Sequence, residues 1–113
     1  MAKKKKETRI AEEKERLLRI FADMDENKLS TVAAIIDRTA FITVSLEDLE
    51  KDLLRDGWIE EYQNGTNQSG VKKSAAADCH IALTKHQNSL VKQHLDIVPA
   101  AQRKSKLQEL MMR

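Results

Sequence analysis

Apolar residues recur along this chain at helical spacing, with one long interruption. From Thr8 to Met24, the residues Ile10, Leu17, Phe21 and Met24 fall on one helical face, with Leu18 and Ile20 beside it. Charged residues fill the other faces, so the pattern predicts a long helix with a narrow apolar seam. Glu12–Arg16 and Glu15–Arg19 stand at i,i+4 in the favourable order, each pair worth about 0.2–0.5 kcal/mol. The run from Asp23 to Asn27 breaks the pattern, and Asp25 or Asn27 is placed to cap the next helix. There Leu29, Val32, Ala33, Ile35, Ile36 and Ala40 form a broad apolar face, which makes this the element expected to be most buried. The β-branched cluster around Phe41-Ile42-Thr43 ends it in this reading. Ser45 and Asp48 then have capping-box spacing, with Val44 and Leu49 where a hydrophobic staple belongs. A third helix is predicted from Ser45, with Leu46, Leu49, Leu53 and Leu54 inward and Gly57 as its C-cap.

The helical period fails from Ile59 to Ser74. This stretch holds the only tyrosine and two of the three glycines. Asn64-Gly65 is a tight-turn dipeptide. Tyr62 can bury its ring while its hydroxyl stays near polar partners. The amides of Gln63, Asn64, Asn67 and Gln68 can tie backbone groups together, so the stretch reads as an ordered polar loop. Ser74 can cap a long helix running to about Val98. Ala76, Cys79, Leu83, Leu90 and Ile97 lie along one side of it, and Val91, Leu95 and Val98 widen that side late. Ala75, Ala76 and Ala77 permit close approach of another helix. Pro99 ends that helix or starts a short final one, from Ala100 to about Met112, which carries Leu107, Leu110 and Met111. The expected fold is all-α: about four helices plus a short C-terminal one, with the long helices joined by the polar loop. At 113 residues this is one small domain. It divides into a basic arm (1–9), a helical core (10–98) and a basic end (99–113).

Composition changes this picture in three ways. Aromatic residues make up only 4% of the chain, so the core must be built from Leu, Ile, Val and Ala and is thin. Part of the apolar surface is therefore expected to be buried against a partner copy. Cys79 is the only cysteine, which excludes an internal disulfide, fits a reducing cytosol and suits a small core residue. No apolar run approaches the ~20 residues that span a bilayer, so no membrane partner is expected. The net charge of +2 is uneven: residues 10–57 are acidic on balance and both ends are basic.

Lys3, Lys4, Lys5, Lys6 and Arg9 at the start are candidate phosphate contacts. So are Lys72 and Lys73 beside the polar loop, and Arg103, Lys104 and Lys106 at the end. Each such contact releases counterions from DNA whatever the base sequence. A solubilising tail is the alternative for the lysine run. The second and third helices could be proposed as a helix-turn-helix, but Glu47, Asp48, Glu50 and Asp52 on the would-be reading helix would repel a phosphate-lined groove. His80, His86 and His94 are six and eight residues apart, not the i,i+4 spacing that places two imidazoles on one metal. They read as surface or satisfied histidines. A phosphate-cradling Gly loop, a nucleophile elbow and paired cysteines are all missing, so neither catalysis nor a cofactor is expected.

One constellation goes further. Glu61-Tyr62-Gln63-Asn64-Gly65, Asn67-Gln68, Gly70, Lys72-Lys73-Ser74 and Ala76, in this spacing, resemble a motif in the small subunit of tailed-phage DNA-packaging terminases. The lysine-rich start, the charged first helix, Asn27-Lys28-Leu29 and Phe41-Ile42-x-Val44-Ser45-Leu46-Glu47-x-Leu49 extend the likeness over roughly residues 3–98. His80 stands where such proteins often carry an aromatic residue. The resemblance implies an all-α protein that assembles into a homo-oligomeric ring in the host cytoplasm. It also implies binding of double-stranded viral DNA and its delivery to the large terminase subunit, which holds the ATPase and nuclease. Tyr62, Asn64, Gly65, Gly70 and Ser74 enter as structural motif residues. A helical adaptor binding only protein, and a dimeric DNA-binding regulator, remain the alternatives.

Overall fold

The computed structural model describes residues 4–63, 65 and 69–112, with Tyr62 described by its backbone alone. The chain is mostly helical, with one small sheet. Helix α1 spans Lys6–Ile20 and α2 Glu26–Asp56; strands β1 (Ile59–Gln63) and β2 (Ser69–Lys73) follow, then α3 (Ala75–Ile97), a 3-10 turn (Ala100–Gln102) and α4 (Arg103–Met111). Helix α2 is central: α1 and α3 pack on it, and α4 lies against α1 and α3.

Asp25 caps α2 by accepting from the Lys28 N–H at 2.9 Å, and Ser74 caps α3 by accepting from the Ala77 N–H at 3.1 Å. Gly57 closes α2 at φ +84° and ψ 174°, a conformation essentially restricted to glycine. No heavy atom lies within 4 Å of the position where a Cβ would sit, so the backbone angle, not space, requires glycine there.

The predicted break between the second and third helices does not exist. Helix α2 runs unbroken for 31 residues. Ile42, Thr43, Val44, Ser45 and Leu46 are all buried, so this stretch is covered on every side. Burial of a continuous run outweighs the local capping signal. The Ser45 hydroxyl caps nothing and is buried without a hydrogen-bond partner. Asp48, the supposed second half of the capping box, accepts from Arg9 at 2.6 Å instead.

Helix α2 is, by length and composition alone, long and apolar enough over an 18-residue window to cross a membrane. The expectation that no stretch approaches that length is corrected accordingly. Half of that window is buried inside the protein, as in the core helix of a folded domain.

The polar stretch is a β-hairpin, not an irregular loop. Its antiparallel register pairs Ile59 with Lys73, Glu60 with Lys72, Glu61 with Val71, Tyr62 with Gly70 and Gln63 with Ser69. Gly65 takes φ +86°, as the Asn-Gly turn signal requires. Asn64, Thr66, Asn67 and Gln68 lie outside the described residues.

Leu17 of α1, Phe21 just past its end, Val32, Ile36 and Ala40 of α2, Val98 just past α3 and Leu110 of α4 form the larger apolar cluster. Ile42, Leu46 and Leu90 form a smaller one. Several expected core residues lie outside both: Leu54 is 87% exposed, Ala33 and Cys79 are exposed, and Leu53 is buried apart from either cluster. The buried side of α3 runs through Ala77, Leu90 and His94, displaced from the side drawn through Cys79. Ala77, fully buried, is where α3 comes close to its neighbours.

Candidate nucleic-acid interface

The structure disperses the basic residues expected to meet DNA. Lys3 lies outside the described residues. Lys4 pairs with Glu12 at 2.7 Å. Residues 6–9 are not a free arm but the first turn of α1. There Arg9 ties α1 to α2 through Asp48 at 2.6 Å and Glu47 at 3.8 Å. The neighbouring Arg9 guanidinium holds the Asp48 carboxyl below the usual carboxylate range, chiefly by its hydrogen bond. Lys72 pairs with Glu60 at 3.4 Å and Lys73 with Asp78 at 3.3 Å.

At the other end, the Arg103 guanidinium donates to the carbonyls of Leu95 and Val98, both at 3.1 Å, which closes the end of α3. Lys106 points inward: its ammonium donates to the Ile20 carbonyl at 2.6 Å and to Asp23 at 3.0 Å. Arg16 answers from α1. It takes Glu13 rather than the expected Glu12, and it donates to the carbonyls of Glu109 and Leu110 at 3.1 and 2.7 Å. Helices α1 and α4 thus cap each other's C-terminal carbonyls with a basic side chain, where the helix dipole favours a cation. The basic end is a docked part of the fold. Of the ten predicted cations, Lys5, Lys6 and Lys104 are exposed with neither an ion pair nor a side-chain hydrogen bond among the described residues.

Sequence reasoning missed a second group, in which Arg38 and Lys85 are the cations. Arg38, Phe41 and His86 line one groove between α2 and α3, together with Ala34, Asp37, Ile42 and Leu83, in a volume of about 560 Å³. Lys85 shares the adjoining depression with His86. Phe41 is 52% exposed, and the Lys6 ammonium sits 5.1 Å from its ring centroid, in cation–π range. Asp37, the acid within the groove, is neutralised by Lys14 at 3.2 Å. Lys6, Phe41, Arg38, His86 and Lys85 therefore follow one another along a single strip, and neither Arg38 nor Lys85 has a carboxylate partner among the described residues. Arg38 and Phe41 are i,i+3 on α2, a spacing visible in the sequence. What placed them beside His86 and Lys85 is the packing of α3 on α2.

The histidines are separate from one another. His80 lies edge-on to Trp58, ring centroids 5.3 Å apart, with its Nε2 at 3.3 Å from Glu50. His94 is fully buried, stacked on Phe21 at 5.1 Å. No cluster of metal-ligating side chains occurs among the described residues. A further cleft of about 370 Å³, lined by Thr39, Thr43, Gln87, Leu107 and Met111 among others, is roofed by α4. Inside it, Gln87 already donates to Thr43 at 3.1 Å.

No protein-family model, curated protein or solved structure matches the chain.

Proposed function

We propose that this chain is a non-catalytic DNA-binding subunit of a viral genome-packaging machine, of the small terminase type. In this reading it assembles in the host cytoplasm as a homo-oligomeric ring and presents double-stranded DNA to the large terminase subunit, whose ATPase and nuclease do the chemistry. The observation that carries the proposal is the strip of Lys6, Arg38, His86 and Lys85 around the exposed Phe41 ring. Lys6, Arg38 and Lys85 form no ion pair with a carboxylate among the described residues and are available to phosphates, and each phosphate they neutralise releases counterions. A few such contacts per copy bind weakly. Repetition around an assembly multiplies them without any strong single site. The motif from Glu61 to Ala76, together with the lysine-rich start, supports the assignment to packaging rather than to gene regulation.

The test is duplex-DNA binding by fluorescence anisotropy over a range of salt. The slope of log affinity against log salt should fall in magnitude by about 0.9 for each phosphate contact removed. Arg38→Ala with Lys85→Ala should lower it by about 2 per copy, and equally for unrelated DNA sequences. An unchanged slope removes the strip from the interface. A chain that assembles but binds no duplex at low salt is the protein-only adaptor.

A further inference from the structure

The hairpin segregates its charge by strand, and its own exposed ion pairs, Lys72–Glu60 and Lys73–Asp78, leave Glu61 outside any ion pair among the described residues. Strand β1 contains Glu60 and Glu61 and no cation; β2 contains Lys72 and Lys73 and no acid. Every described side chain on both strands is exposed, including Ile59 at 62% and Val71 at 63%. By the alternation of a strand and the register, Ile59 and Val71 share one face of the sheet.

Among the described residues the sheet has two strands, so both of its edges are open. The Ser74 N–H donates to the Trp58 carbonyl at 3.0 Å, one step beyond the Ile59–Lys73 pair. Hydrogen-bonded and non-hydrogen-bonded pairs alternate in an antiparallel ladder. The internal bonds therefore fall at 58/74, 60/72 and 62/70. The N–H and C=O groups of residues 59, 61 and 63 point away from β2, and those of 69, 71 and 73 away from β1. A two-stranded ribbon with exposed apolar side chains is marginal alone, and free edges template further pairing.

We propose that these edges pair between copies, the acidic β1 of one copy against the basic β2 of the next, so that a single antiparallel sheet runs from copy to copy. This rests on the oligomeric reading above and specifies which surfaces join. A second copy is the occupant that the charges select. Pairing β1 with β1 sets carboxylates beside carboxylates, and β2 with β2 sets ammonium groups together, both unfavourable across a ladder. Pairing β1 with β2 sets Glu beside Lys. That contact is head-to-tail, the kind that closes into rings and does not stop at a two-fold dimer. Each lysine can then bridge acids on both sides: Lys72 to Glu60 at 3.4 Å and Lys73 to Asp78 at 3.3 Å are solvent-exposed pairs within one copy. The shared sheet also continues the Ile59–Val71 stripe, both residues of which are more than half exposed.

The experiment uses two full-length variants, Lys72→Glu/Lys73→Glu and Glu60→Lys/Glu61→Lys, studied by native mass spectrometry alone and in equimolar mixture. Each alone carries one sign on both edges and should lose the high-mass species of the wild type, while far-UV circular dichroism stays helical. The mixture should regain that species with both variants in equal numbers. Assembly of each variant alone, as in the wild type, overturns edge pairing and leaves the oligomeric reading standing. Failure of the mixture to reassemble also overturns it, because the charges then serve only each hairpin's own ladder. A monomeric wild type overturns the oligomeric reading itself.

Discussion

His94 shows how much one side chain can carry. It sits in the core against Phe21, with Nε2 at 3.0 Å from the Thr39 hydroxyl. Thr39 spends its single proton on the Ile35 carbonyl at 2.9 Å, so its oxygen accepts from the imidazole. The ring is therefore the Nε2–H tautomer, and Nδ1 is a buried lone pair with no partner. Protonation there would place an unpaired N–H and a charge in an apolar core. Burial accordingly lowers the pKa from 6.5 to about 4. The unfolded chain binds this proton more readily than the folded one. The contribution of neutral His94 is thus complete above pH 6.5 and is lost as pH falls toward 4, by on the order of 2–3 kcal/mol in all. Urea unfolding at a series of pH values should show that decline, and His94→Gln should flatten it. A stability profile level from pH 7 to pH 5 in the wild type would contradict the assignment. Asp23, Asp48 and Asp56, held below the usual carboxylate range by hydrogen bonds from Lys106, Arg9 and Arg55, act in a separate window, below pH 3.8.

At the scale of elements, Ser45 and Ser74 look alike in sequence and differ in role. Both precede an apolar helical run. Ser74 lies at a chain reversal, with its backbone extended at φ −66° and ψ 158°, and its hydroxyl meets the Ala77 N–H. Ser45 lies inside α2 with its hydroxyl unpartnered. Ser74→Ala should cost about 1 kcal/mol, the usual worth of an N-cap. Ser45→Ala should be neutral or stabilising by up to about 1 kcal/mol, since it removes an unsatisfied buried hydroxyl. Equal losses in urea unfolding would restore a helix start at Ser45. The same contrast separates Lys104 from Lys106, two residues apart on α4. One is solvated, while the other anchors α4 to the end of α1.

The whole molecule is elongated, 64 × 37 × 21 Å, with two small apolar clusters in place of one large core. Leu54, Trp58, Ile59, Val71, Met111 and Met112 are each at least half exposed. A single copy therefore leaves buriable surface unused. Association that involves the folded chain stabilises it by mass action. The thermal midpoint should rise with protein concentration and become independent of it for a variant unable to assemble. A midpoint constant over a hundredfold concentration range would mean that the folded unit is one chain.

The amino-acid sequence by itself determined most of the helices, the cap at Ser74, the choice of Asp25 or Asn27 as the cap of α2, the stop at Gly57 and the turn at Gly65. These depend on signals within a few residues: a side-chain oxygen three positions before an N–H, or a glycine where φ must be positive. The helical period likewise identified Leu17, Phe21, Val32 and Ile36 as core. Tertiary structure decided whatever depends on which surfaces meet. It joined two expected helices into α2 because residues 42–46 are enclosed by neighbours, and no local signal carries that enclosure. It turned the polar stretch into a hairpin because the partner of β1 lies past the turn. It took Lys106 and Arg9 out of the pool of free cations by giving them carbonyls and carboxylates distant in sequence. It assembled Lys6, Phe41, Arg38, His86 and Lys85 from three helices. A charge is legible in a sequence, but its availability is a property of what the fold sets beside it.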